Sequence, residues 1–172
     1  MREVWKVNVI TALFLVVSAV GAQSEPGPKP QFSLVLSTER TEFSIGAPIS
    51  FKLTMTNVSD SHFHYDVRSL ASKALNYKYV QVRPVRVELR DGEGKPVPLT
   101  LYGATARGQC GECGGSGIQG GLKPGESISE TVDLSKEFDI QKPGKYTVYA
   151  ERFDKASKTL VKSSILTINL VR

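Results

Sequence analysis

Between Gly46 and Asp60 the chain reads GAPISFKLTMTNVSD, and this stretch most constrains the fold. Ile49, Phe51, Leu53 and Met55 alternate strictly with Ser50, Lys52, Thr54 and Thr56. A period of two places one set of side chains on each face of a strand, one facing a core and the other facing water. Gly46 and Pro48 open the segment, and Asn57 to Asp60 close it with turn-forming residues.

The same period recurs along the chain. Phe32, Leu34 and Leu36 share a face, as do Phe63, Tyr65 and Val67. Leu70 to Leu75 reads as a short helical turn across a sheet end. Val80 to Leu89 reads as one strand interrupted at Pro84, which has no amide to donate. Asp91 to Gly94 is a hairpin turn into a strand through Val97, Leu99 and Leu101. Later strands follow Ile128/Val132/Leu134, where Glu130 is out of pattern, then Tyr146/Val148/Ala150 and Leu166/Ile168/Leu170. No segment carries a helical period long enough for a βαβ unit. Short strands at modest spacing predict an all-β, immunoglobulin-like antiparallel β-sandwich of seven or eight strands over residues 32–172.

Two segments extend that reading by resemblance. Phe43 to Ser59, followed by Leu89 to Val97, resembles the opening half of sandwiches such as the bacterial intracellular proteinase inhibitor family. Leu122 to Ser127, Val132 to Leu134 and Lys142 to Val148 are similar to the closing half of the N-terminal sandwich of deuterolysin-type metallopeptidases. The resemblance implies the sandwich fold and raises proteinase inhibition as an alternative function. The zinc helix of those peptidases, with its H-E-x-x-H pattern, is not matched. Pro143, Gly144 and Tyr146 fit a tyrosine corner, in which a buried ring at a strand start returns its hydroxyl to an upstream carbonyl.

The N-terminus points to export. Arg2 and Lys6 precede the apolar run Val9 to Val20, and Val20-Gly-Ala22 offers a small residue for cleavage, so residues 1–22 read as a signal peptide. Residues 23–31, QSEPGPKPQ, read as a flexible linker. The formal charge is +5, and removal of Arg2, Glu3 and Lys6 lowers it to +4. Such a balance does not mark a nucleic-acid binder.

The only two cysteines, Cys110 and Cys113, lie in a Gly/Cys-rich loop expected over 103–121. Cys110 to Gly117 fits C-x-x-C-x-G-x-G, the pattern of DnaJ-type zinc repeats. One copy supplies two of the four ligands that a structural zinc requires. Three readings remain open: a local disulfide, half of a metal site, and a redox pair. Glycines around the pair disfavour the helix start that lowers a redox thiol pKa.

Other candidates carry weaker chemistry. His62 and His64 share a strand face with Asp66, a spacing that chelates metal on a sheet surface or simply solvates it. Arg68, Lys73, Lys78, Arg83, Arg86 and Arg90, with Tyr77 and Tyr79 between them, form a basic run suited to an anionic polymer or to a solvated face. Asn57-Val-Ser59 matches a glycosylation acceptor or an Asx turn. Two histidines on one strand supply no nucleophile–base pair. The expectation is a non-catalytic exported binding module, with no cofactor, that meets another protein or an envelope component. The alternative is a metal- or redox-responsive accessory protein acting through Cys110 and Cys113, with zinc as the metal.

Overall fold

The computed structural model describes residues 28–76 and 78–172, so the signal-like segment and residues 23–27 lie outside the described residues. It contains eleven strands: β1 (Phe32–Ser37), β2 (Glu42–Ser44), β3 (Ser50–Asn57), β4 (Phe63–Ser72), β5 (Tyr79–Val82), β6 (Arg86–Arg90), β7 (Cys113–Leu122), β8 (Ser127–Asp133), β9 (Gly144–Asp154), β10 (Thr159–Lys162) and β11 (Leu166–Val171). Two short helices, α1 (Leu101–Ala106) and α2 (Leu134–Glu137), and a 3-10 turn at Lys73–Leu75 complete it.

Two sheets make the body. One runs β1-β3-β8. The other runs β10-β9-β11-β2, with β6 also paired to β9. Glu151 of β9 is in register with both Arg86 and Lys162, so β6 and β10 flank β9 on opposite edges. All pairs in the body are antiparallel except β2 with β11. The alternating residues meet between the sheets: Phe32, Leu34, Phe51, Leu53 and Val132 from one, Val87, Leu89, Tyr146, Val148, Ile168 and Leu170 from the other. These eight strands make an all-β sandwich, as the alternation predicts, but β2 and β10 were not expected and the expected Phe63–Val67 strand lies outside it.

The third sheet, β5-β4-β7, is a wing attached to this body. It raises the strand total above seven or eight. Phe63, Tyr65 and Leu122 root it in the common core. Asn57 joins the two parts. Its amide donates to the carbonyls of Ser61 and Leu122 at 2.8 and 2.9 Å, and its side-chain oxygen accepts from the Ser59 amide and hydroxyl. The residue is fully buried and forms an Asx turn, so its amide is not presented to a glycosylating enzyme.

Several local expectations change. The expected loop at 103–121 is mostly regular structure. Thr100 caps α1 by accepting from the Gly103 amide at 3.0 Å, which ends the strand expected through Leu101. A Cβ on Gly103 would land on the Glu137 carbonyl, so glycine lets α1 sit against α2. From Cys113 the chain is strand β7, paired with the full length of β4. Its glycines accommodate β4 closely: a Cβ at Gly120 would strike the Tyr65 ring, and one at Gly115 the Ser69 carbonyl and Leu70. Val80–Leu89 is not one strand. Pro84 marks a crossing from the wing to the body, because β5 pairs with β4 and β6 with β9. The helical turn begins at Lys73, later than expected, and Leu70 and Ala71 stay in β4. The linker ends before Gln31, whose amide donates to Asp154 at 2.8 Å and whose carbonyl accepts from Val58.

Candidate functional site

Cys110 and Cys113 lie between the end of α1 and the first residue of β7. Their sulfurs are at disulfide-bonding distance and their Cα atoms are 6.0 Å apart. The bridge closes the short bend that turns the chain from α1 into the wing. Lys73 fastens that bend from outside: its amide donates to the Glu112 carbonyl, and its ammonium lies 3.2 Å from the Glu112 carboxylate. In this bonded state neither sulfur is a thiolate ligand.

His62 and His64 stack, with ring centroids 5.2 Å apart. They stand at the other end of the wing. His64 is in register with Gly121 and Ser72 with Cys113, which separates them by about 27 Å at 3.4 Å per residue. The histidines and cysteines therefore do not meet in one site. Among the described residues no cluster of three or more His, Cys, Asp or Glu side chains is arranged to hold a metal.

The tyrosine corner has the geometry that its residue types suggest. Tyr146 is buried, and its hydroxyl donates to the Lys142 carbonyl at 2.8 Å. Gly144 has φ of +143°, a conformation closed to most side chains, directly after Pro143. Burial, and then the Asp91 carboxylate, raise the hydroxyl pKa, so it stays a donor. This corner fixes the start of β9 and is a framework feature.

The basic run resolves into a groove. Arg68 of β4, Arg83 of the crossing and Arg86 of β6 line one cleft of about 590 Å³ between the wing and the β9–β10 hairpin. Lys73, Lys78 and Arg90 do not line it. Three further cations do: Arg107 from the end of α1, Arg152 from β9, and Lys155. Asp66 and Glu151 are the carboxylates that line it.

Two of the six cations are neutralised within the protein. Arg83 pairs with Glu137, with side chains only 11% and 4% exposed. Arg107 pairs with Glu88 at 2.9 Å and lies over the Phe138 ring at 5.5 Å. These buried pairs form the floor. Glu130 faces the same region at an inward position of β8. Burial raises its carboxyl pKa, Arg83 opposes that shift and Glu137 adds to it. The other four cations, Arg68, Arg86, Arg152 and Lys155, make no ion pair among the described residues.

Arg152 is the unusual member. It occupies the inward phase of β9, following Tyr146, Val148 and Ala150. Its guanidinium lies 5.0 Å from the Phe63 ring centroid and 5.2 Å from that of Phe32, and one nitrogen reaches the Met55 sulfur at 3.4 Å. Burial lowers its pKa, while Asp154 and Asp66 oppose that. The alternation through Tyr146, Val148 and Ala150 continues to Arg152, which the expected candidates did not include and whose inward phase could have marked it. Arg107 and Lys155 carry no comparable signal, because only tertiary packing brings them to the groove.

A second groove of the same volume, along β1, β3 and β8, differs in charge. Its cations Arg40 and Lys52 are matched by Glu39 and Glu130. Beside the cationic groove, Phe153 and Leu160 are 55% and 49% exposed and are register partners across β9 and β10.

No family model matches the chain, and no curated protein does. Among solved structures, a β-glucosidase from Listeria innocua in complex with isofagomine is similar over 82% of this chain, with 16% identity and a TM-score of 0.43. This chain spans about 16% of that enzyme's length. The CARDB domain of a Pyrococcus furiosus protein, solved with di-metal ions, aligns over 83% of this chain and 89% of its own, with 10% identity and a TM-score of 0.41. An alkylpurine DNA glycosylase from Pseudomonas fluorescens, bound to DNA containing an abasic site analog, aligns over 84% of this chain and 32% of its own, with 10% identity and a TM-score of 0.36.

Proposed function

We propose that the chain is an exported, non-catalytic interaction module whose binding surface is the groove between the wing and the β9–β10 hairpin. One observation carries the reading: four cations that make no ion pair among the described residues line a single cleft of about 590 Å³, within the usual size of ligand clefts. Exposed charges left unpaired around a concavity, as at Arg68, Arg86 and Lys155, suit recognition better than stability, because exposed cations contribute little to folding. Export is supported by the basic and apolar N-terminal sequence together with a bridged cysteine pair.

The test is capture from an envelope extract of the producing cells, using protein made with its own N-terminus and purified from the exported fraction. Wild type, Cys110→Ser with Cys113→Ser, and Arg68→Glu with Arg86→Glu are compared. The reading expects a saturable partner that the cysteine variant keeps and the arginine variant loses. Loss with the cysteine variant and retention with the arginine variant would transfer the function to the Cys110/Cys113 bend and its metal or redox chemistry.

A further inference from the structure

Resting on the groove as the binding surface, we propose that its occupant is an acidic polypeptide segment that carries an apolar side chain among its carboxylates. The donors come first. Arg68 of β4 and Arg86 of β6 line the groove, and Arg152, held against Phe32, Phe63 and Met55, borders it from the inward face of β9. Guanidinium forks match carboxylate geometry with two parallel donors.

The carboxylates in the groove then select among anions. Asp66 sits in the same cleft as the cations, and Glu151 lines it too but is paired with Lys162 at 3.4 Å. A polymer with a charge on every unit, such as a polyuronate or polyphosphate, would press an anion against Asp66. A peptide spaces its charges and can set neutral residues there. The modest net charge of +5 also gives little general attraction for polyanions.

The rim supplies the second half of the ligand's chemistry. Phe153 and Leu160 form an exposed apolar pair on the hairpin that walls the groove. Burying such a pair needs an apolar partner, and an exposed phenylalanine beside arginines is the composition of an interface anchor. An acidic segment with one aromatic or branched side chain meets both requirements together.

The probe is a fluorescein-labelled peptide of alternating glutamate and phenylalanine pairs, titrated by anisotropy against the full exported protein. Oligoglutamate of the same length, polygalacturonate and phosphatidylglycerol vesicles are the competitors. The peptide should bind about tenfold or more tighter than oligoglutamate. Arg68→Glu with Arg86→Glu, and separately Phe153→Ser, should each weaken it by about tenfold or more, and added salt should weaken it further. These positions are exposed, so circular dichroism should match wild type; Lys155→Glu serves if the double variant misfolds. Equal binding of every polyanion, with no effect of Phe153→Ser, would overturn the inference in favour of a simple basic patch. A preference for polygalacturonate or vesicles would overturn it in favour of those classes, and no binding at all would also overturn it. If the arginine variant loses the envelope partner while the peptide fails to bind, this inference falls and the groove reading stands. If capture ignores the arginines, both fall.

Discussion

The sandwich body and the wing are built on different physics. In the body, alternate side chains from facing sheets are removed from water together, and residues such as Leu89, Val148 and Ala150 have no exposed surface. In the wing, β7 contributes Gly114, Gly115, Gly117, Gly120 and Gly121, so pairing with β4 depends on main-chain hydrogen bonds and on β4 side chains lying over glycines. The body has the free energy to be rigid. The wing has less apolar burial of its own, is tied at one end by Asn57 and at the other by the cysteine bridge, and faces an open groove. Binding surfaces are commonly drawn from such lower-stability elements.

That contrast can be broken most forcefully in the body. Phe51→Ala removes a ring that is 1% exposed and should cost about 3–5 kcal/mol in a denaturant titration, loosening both regions. Gly120→Val places branched carbons on the Tyr65 ring and should cost about 1–3 kcal/mol. Its effect should centre on the wing, seen as faster amide exchange across Phe63–Ser72 with the body protected. Cys110→Ser with Cys113→Ser opens a very short loop and should cost about 2 kcal/mol or less by loop-closure entropy. Proteolysis should then appear first near residues 107–112.

The smallest effects are electrostatic and have opposite signs. Burial alone would push the Asp154 carboxyl up, but donors from Gln31, Ser157 and Ala156 outweigh it and hold the pKa below its usual value. Its stabilisation is therefore present above about pH 4 and is lost as pH falls through the depressed folded value. Asp154→Asn should lower the Tm at pH 7, and the gap should shrink under acid. Glu130 is the converse: its raised pKa means that the folded state prefers the protonated form. Glu130→Gln should raise the Tm slightly at pH 7, and the gain should vanish below about pH 4, where both states are protonated.

The difference between the regions also explains what the sequence reveals. The body was legible wherever side chains alternate, as from Ile49 to Met55 and from Tyr146 to Ala150. Strand β7 was not, because glycine has no side chain to carry a period, and CGGSGIQGGL reads as loop. The Val97/Leu99/Leu101 alternation misled for the opposite reason. Leu101 is half exposed, and the Thr100 cap, with the small residue Gly103 against α2, decides for a helix. Of the groove, the chain order shows Arg68, Arg83 and Arg86 as a basic run. It does not show that Lys73, Lys78 and Arg90 point elsewhere, or that Arg107, Arg152 and Lys155 join from distant elements. Arg152 was missed although its place in the inward phase of the Tyr146/Val148/Ala150 alternation could have flagged it.

Amide hydrogen exchange over the whole protein, with and without the glutamate–phenylalanine peptide, tests the division between body and wing most directly. The account expects β3, β9 and β11 to exchange only through global unfolding and β4, β5 and β7 to exchange faster. It also expects the peptide to slow exchange at residues 66–70 and 151–160. Equal protection of wing and body in the free protein, or peptide protection confined to residues 107–112, would contradict it.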